Sequence, residues 1–198
     1  MKIGLTGSIA CGKSTVSAYL RETGIPVVDA DAISHALTAP DGVALPALRD
    51  AFGDAIFDGS ILNRRALGSL VFSDSSQLER LNAILHPMII AEIRAQLDAL
   101  ERTHALVVGD VPLLFECGME HLFDRIWVVS VPQDVQIVRI MERDHLTEEE
   151  AMQRISAQMP LCEKESRADA VICSDGPIEA TQAQVRALID RPQQRRQA

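Results

Sequence analysis

Eight consecutive residues, Gly7-Ser8-Ile9-Ala10-Cys11-Gly12-Lys13-Ser14, satisfy the pattern G-x-x-x-x-G-K-[ST]. The chemistry of that pattern is phosphate binding. The backbone N–H groups of such a loop point inward and surround phosphate oxygens. Gly7 and Gly12 allow backbone angles and a closeness of approach that a Cβ would block. Lys13 reaches the outer phosphates as a point charge, and the Ser14 hydroxyl is a ligand for Mg²⁺. Gly7, Ala10, Cys11, Gly12, Lys13, Ser14 and Thr15 are therefore the expected nucleotide contacts, with Lys13 also taking part in catalysis. The plain alternative is a tight strand–helix turn with a surface lysine. A chance match in a chain of this length has odds of roughly one in a hundred.

Carboxylates and arginines elsewhere suggest what is done to the phosphate. Asp29 and Asp31 follow a short apolar run, Ile25 to Val28. At the carboxyl end of a parallel strand, one of them can take a proton from an acceptor hydroxyl; Asp also suits a helix N-cap. The transfer role is assigned to Asp31. Asp110 ends the apolar run from Ala105 and is read as an Mg²⁺-side carboxylate acting through water, with a helix cap as the alternative. Arg139 and Arg143 are four residues apart, on one face of a helix, and planar guanidinium suits phosphate; the plain alternative is two solvated arginines paired with Glu142 or Asp144. Arg64-Arg65 opens a helix, where extra cations are disfavoured unless an anion sits nearby. His86, before Pro87, either contacts the acceptor or satisfies a carbonyl freed by the proline.

These groups need a frame to hold them. Five short apolar runs alternate with helical spacing: Lys2 to Thr6, Ile25 to Val28, Ala105 to Gly109, Ile126 to Val131 and Ala170 to Cys173. Strands apolar on both faces predict an α/β fold, a parallel sheet with helices on both sides. Helical spacing begins at Lys13 and ends with Gly24 as a cap, Asp134 caps a later helix, and Thr147 with Glu150 forms a capping box. Gly176-Pro177 opens the last helix, and the tail beyond Asp190 is expected to fray. The stretch from Val43 to Glu101 reads as helix or loop throughout, with a kink or a helix restart expected at His86-Pro87. The whole chain is expected to be one domain: a core at about 1–30, 104–132 and 168–190, a helical substrate-binding insert at about 31–103, and a small helical lid at about 133–167.

Composition narrows the function. A formal charge of −9 disfavours nucleic acid and anionic lipid as partners. The N-terminal apolar run is too short for a signal peptide and no run reaches membrane-spanning length, so a cytoplasmic protein is expected. Cys11, Cys117, Cys162 and Cys173 show no metal-binding spacing; Cys11, in the loop, is the one expected to be oxidisable. A phosphate loop alone serves a kinase, a GTP switch or a motor. The guanine-reading N-K-x-D is absent, since Asn63 and Asn82 are the only asparagines and neither begins it. Another small-molecule kinase and a nucleotide-regulated binding module both remain open on the residues alone.

One resemblance covers nearly the whole chain. Gly4-Leu5-Thr6-Gly7 with the phosphate loop, Val28-Asp29-Ala30-Asp31, Leu62-Asn63-Arg64-Arg65, His86-Pro87 and Pro112-Leu113-Leu114-Phe115-Glu116 occur in order. Gln136-Ile137-Val138-Arg139, Arg143-Asp144, Ala157-Gln158 and Ala168-Asp169-Ala170-Val171-Ile172 follow. The series resembles the dephospho-CoA kinases. It implies a P-loop core, a helical CoA-binding region and a lid, with ATP phosphorylating the ribose 3′-hydroxyl of dephospho-CoA in the last step of CoA synthesis. ATP and dephospho-CoA are then the small-molecule partners and Mg²⁺ the cofactor. The resemblance makes Arg139 the lid arginine of catalysis, gives Arg143 to the nucleotide, and gives Asp31, Arg65, His86 and Glu116 to the acceptor. Two departures stand out. The family's loop usually reads Gly-Gly-Ile-Gly-Ser-Gly-Lys where this chain has Ser8, Ala10 and Cys11, and Ser174 stands where asparagine is frequent.

Overall fold

A computed structural model describes residues 1–191. The chain divides into two compact units, Met1–Val28 with the chain from Gln96 onward, and Asp29–Ala95.

The first unit is built on a five-stranded sheet. Its strands are β1 (Lys2–Gly7), β2 (Val27–Asp29), β5 (Val107–Asp110), β6 (Arg125–Ser130) and β7 (Ala170–Cys173), in the order β2-β5-β1-β6-β7. β1 lies at the centre. It pairs in parallel with β5, Lys2 beside Val107 and Leu5 beside Asp110, and with β6, Leu5 beside Trp127. β6 pairs in parallel with β7, Val129 beside Ile172. All residues of β1 after Lys2, all of β5 and all of β6 after Arg125 are buried, as strands covered on both faces must be. The helices of this unit are α1 (Lys13–Glu22), α6 (Gln133–Asp144), α7 (Glu148–Ser156), α8 (Leu161–Arg167) and α9 (Ile178–Asp190). Val16 and Leu20 of α1 and Val185 of α9 join Ile3, Leu5, Trp127, Val129 and Ile172 in the main core. With aromatics scarce, branched aliphatics carry that core, and each buried one contributes about 1.5–3 kcal/mol of transfer free energy.

The second unit holds α2 (Ala30–Leu37), α3 (Leu45–Phe52), α4 (Arg64–Ser73) and most of α5 (Ser75–Glu101). It also holds a small antiparallel hairpin, β3 (Phe57–Asp58) with β4 (Ile61–Leu62), where only helix and loop were expected. Asp58-Gly59-Ser60 is its turn, and Gly59 has φ 65°. Two-residue strands are too short to show a period of two, so the pattern was silent there. α5 runs unbroken through Pro87, so of the two expectations there, a kink or a restart, the helix does not restart. Proline removes one hydrogen bond and displaces one carbonyl, and the turns on both sides keep the helix going.

Three caps differ in detail. Thr23 is the C-cap of α1, and Gly24 is the left-handed residue after it, with φ 81°. Pro132 rather than Asp134 is the N-cap of α6, which leaves Asp134 in the first turn. Pro177 is the N-cap of α9, one residue before the helix proper. The capping box at Thr147 and Glu150 is present as expected. The fraying expected after Asp190 falls almost wholly outside the described residues. Among those described, no helix is long and apolar enough to cross a membrane.

Candidate active site

The phosphate loop joins β1 to α1, beside the point where the sheet's strand order reverses, which is where ligands of open α/β sheets bind. α1 has no side-chain cap and no acidic residue in its first turn. Its N-terminal N–H groups are thus left for an anion, and the helix dipole favours one there. Gly12 has φ 84°, and a Cβ on it would lie 2.9 Å from Ser174 Oγ. A Cβ on Gly7 would collide with Cys11 Sγ and lie 2.7 Å from the Val129 carbonyl oxygen. Gly7 is therefore required by space, and Gly12 by space as well as by backbone angle.

Ala10 is left-handed too, with φ 57°. Such a conformation costs an alanine about 1–2 kcal/mol, and the surroundings must hold it. They do so with side chains. Gln136 Nε2 donates to the Ile9 carbonyl at 2.6 Å and to Ser8 Oγ at 2.9 Å. Gln158 Oε1 accepts from Ile9 N at 2.8 Å and from Ser8 Oγ at 3.0 Å. Arg139 Nη1 donates to the Ala10 carbonyl at 3.4 Å and to Ser174 Oγ at 3.2 Å, and Nη2 to the Ser174 carbonyl at 2.5 Å. Ser174 Oγ in turn donates to the Cys11 carbonyl at 2.6 Å. Hydrogen bonds from outside the loop thus fix the shape of the segment that carries Ser8, Ala10 and Cys11.

Lys13 Nζ pairs with Asp110 Oδ1, while Ser17 Oγ donates to Oδ2. Asp110 is thus a buried anchor shared by Lys13 and Ser17 rather than a cap. The donor set suits Mg²⁺: an exposed Ser14 hydroxyl and the Asp110 carboxylate are hard oxygens, and no cluster of three or more His, Cys, Asp or Glu competes among the described residues. Mg²⁺ takes few protein oxygens and completes its shell with water and phosphate.

A cavity of about 570 Å³ opens beside the loop, lined by Ser14, Thr15, Arg139, Glu142, Arg143 and Ser174 among others. The four-residue spacing does bring both arginines to one space. They differ in partners. Arg139 grips the loop, whereas Arg143 makes a two-pronged pair with Asp144, at 2.8 Å for each prong. That pairing holds the Asp144 carboxyl below its ordinary range, aided by Arg154.

Other expectations resolve within each unit. In the second, Asp29 is the N-cap of α2, its Oδ1 accepting from Asp31 N and Ala32 N at 3.0 Å each. That leaves the exposed Asp31 carboxylate outside the capping role. Asn63 caps α4, accepting from Ala66 N at 2.9 Å. Arg64 ties α4 to α2 by donating to Thr38 Oγ1 at 2.8 Å, while Arg65 beside it is exposed. His86 is half-buried in the middle of α5. In the first unit, Glu116 Oε1 accepts from Lys164 Nζ at 2.7 Å and from Met159 N at 3.2 Å.

Cys11 is a correction. It is buried, and burial pushes its thiol up, away from the reactive thiolate. The exposed thiols are Cys162 and Cys173. Sequence reasoning also missed Ser17, read Lys164 with Arg167 as positive charge on the lid's face where the structure buries Lys164, and saw in Gln136 and Gln158 only family motifs.

A parallel sheet with its phosphate loop behind the central strand, and a helix whose arginine grips that loop, define a P-loop kinase. Residues 1–180 match the family model described as dephospho-CoA kinase. The dephospho-CoA kinase of Geobacillus kaustophilus is 46% identical over 191 residues, covering 96% of this chain and 95% of that protein. Among solved structures, one from Thermus thermophilus superposes with a TM-score of 0.79 at 38% identity, covering 96% of each chain. The Campylobacter jejuni dephospho-CoA kinase superposes with a TM-score of 0.73 at 28% identity, again covering 96% of each. The chain belongs to the dephospho-CoA kinase family.

Proposed function

We propose that this chain transfers the γ-phosphoryl group of ATP to the ribose 3′-hydroxyl of dephospho-CoA, giving CoA and ADP. The observation that carries the reading is the shaped phosphate loop with Arg139 on its rim, in a chain that matches the family over residues 1–180. The bond from the γ-phosphorus to the β,γ-bridging oxygen breaks, and a bond to the 3′-oxygen forms. The hydroxyl proton passes to the Asp31 carboxylate. Lys13 exchanges Asp110 for phosphate oxygens, and Arg139 meets the charge that grows on the transferring group. Ser14, with Asp110 through water, would hold Mg²⁺, which when bound neutralises charge on the β- and γ-phosphates. Thr15 and Arg143 serve the nucleotide. Arg65, His86 and the second oxygen of Glu116 serve the acceptor. Residues 133–167 act as a lid that excludes water during transfer.

The test is ATP consumption with and without dephospho-CoA, with the nucleotide and CoA products separated and weighed by mass spectrometry. Acceptor-dependent ADP formation with one CoA per ADP is expected. ADP without CoA, or a faster reaction with nucleosides or nucleotides than with dephospho-CoA, overturns the reading.

A further inference from the structure

Lys164 is the one charged side chain with no exposed surface among the described residues. Burying an ammonium costs several kcal/mol unless every proton finds an acceptor. Here each of the three does: Glu116 Oε1 at 2.7 Å, the Pro112 carbonyl at 3.2 Å and the Gly7 carbonyl at 3.4 Å. The acceptors lie on the segment after β5 and on the first residue of the phosphate loop, whereas Lys164 lies on α8. Pro112 O also accepts from Thr6 Oγ1 at 3.0 Å, one residue before the loop.

The same short stretch of chain makes further ties. Met159 N donates to Glu116 Oε1, and Gln158 holds Ser8 and Ile9. Residues 158–164 are thereby pinned both to the phosphate loop and to the segment after β5. An apolar side chain of similar volume would fill the Lys164 space without desolvating a charge. What it would not do is fix the Gly7 carbonyl against α8.

We infer that Lys164 is a positioning residue for phosphoryl transfer: its ammonium holds residues 158–164 on the phosphate loop, and the preference for transfer over hydrolysis depends on that hold. This rests on the kinase reading above. With the hold released, the loop and the segment covering it lose their mutual register, and water gains access to the γ-phosphate. Misplacement of reacting groups by about 1 Å costs on the order of a hundredfold in rate.

The experiment compares Lys164→Met and Lys164→Gln with the unaltered chain. It measures folded fraction, KM for ATP, kcat for transfer to dephospho-CoA, and ATP hydrolysis without acceptor. Transfer should fall about tenfold to a hundredfold. KM for ATP should stay within about threefold, because the N–H groups of α1 that receive the phosphates are untouched. The ratio of hydrolysis to transfer should rise by at least about tenfold, following from the same loss of register. An unchanged ratio, activity that falls only in step with folded fraction, or failure of both variants to fold makes Lys164 a folding residue and overturns the inference. An unaltered chain that does not phosphorylate dephospho-CoA overturns the earlier reading instead.

Discussion

Replacing Arg139 by alanine separates what that side chain does for the fold from what it does for the reaction. Its guanidinium makes one short bond, 2.5 Å to the Ser174 carbonyl, and two longer ones, 3.2 Å to Ser174 Oγ and 3.4 Å to the Ala10 carbonyl. Ser174 Oγ keeps its own bond to Cys11 when the arginine is gone, and the neighbouring cavity lets water replace the rest. The stability loss is then that of one good bond and two weak ones, about 1–2 kcal/mol. In a chain of this size that lowers Tm by roughly 2–8 °C, so the variant stays folded at 25 °C. Turnover should fall much further. A transition-state arginine is worth ~10³-fold or more, about 4 kcal/mol of barrier. KM for ATP should change little, since the charge that Arg139 meets develops as the phosphoryl group departs. Arg139→Lys should restore less than a tenth of the lost rate, because one ammonium does not span the two groups that the fork spans. Arg143→Ala is the internal comparison. Its partner Asp144 retains Arg154 at 2.5 Å, and the expected effect is a raised KM for ATP with kcat within a few-fold. The assay is steady-state transfer to saturating dephospho-CoA, with Tm taken on the same preparations. A dispensable Arg139 beside an essential Arg143 would refute the reasoning, and so would a loss of rate no larger than the loss of folded protein.

Asp31→Asn should keep ATP affinity and cost transfer ~10²–10⁴-fold, the usual worth of a general base, and a loss under about tenfold in steady-state assays would remove Asp31 from that role. Ala10→Gly should raise Tm by roughly 0–6 °C, because it relieves about 1–2 kcal/mol of left-handed strain and returns about 0.4–1 kcal/mol as added freedom of the unfolded chain; a lower Tm by calorimetry would count against the strain. The Glu150 carboxyl is held low by the Thr147 backbone N–H and hydroxyl, and the Asp144 carboxyl by Arg143. Depressed carboxylates stabilise above their ordinary values of 4.5 and 3.8 and lose that contribution as pH falls. Amide protection in α7, corrected for intrinsic exchange, should therefore weaken on acidification from about pH 5.5 to about pH 3 and be flat from about pH 6 to 8; weakening on the alkaline side would contradict the assignment.

Much of this was legible in residue types. The phosphate loop, the five strands and the capping box at Thr147 each rest on a local pattern, and local patterns survive in sequence. Asp29 and Asp31 show where legibility ends. Both suit a cap, and only the backbone course decides that Asp29 takes it. Lys164 was harder still, since a lysine reads as a solvated charge until three acceptors from distant segments surround it. Ser8 looked like a loss of glycine, yet its hydroxyl joins Gln136 to Gln158. The hairpin at Phe57–Leu62 fails for the opposite reason, because its pattern was too short to see, and the helix that continues through Pro87 shows that a single proline need not force a restart.

The central place of β1 has a consequence for synthesis of the chain on the ribosome. Lys2 must wait for Val107, and Ile3 for Arg125, before either edge of the first strand is hydrogen-bonded. The phosphate loop waits longer, for Gln158 and Ser174. Until then an apolar strand with two open edges is exposed in the nascent polypeptide, the kind of segment that chaperones bind and aggregates recruit. The sheet and the loop contacts described above are complete only after β7 and Ser174 have emerged, so the stabilisation that a ligand of the folded loop can give begins no earlier than that.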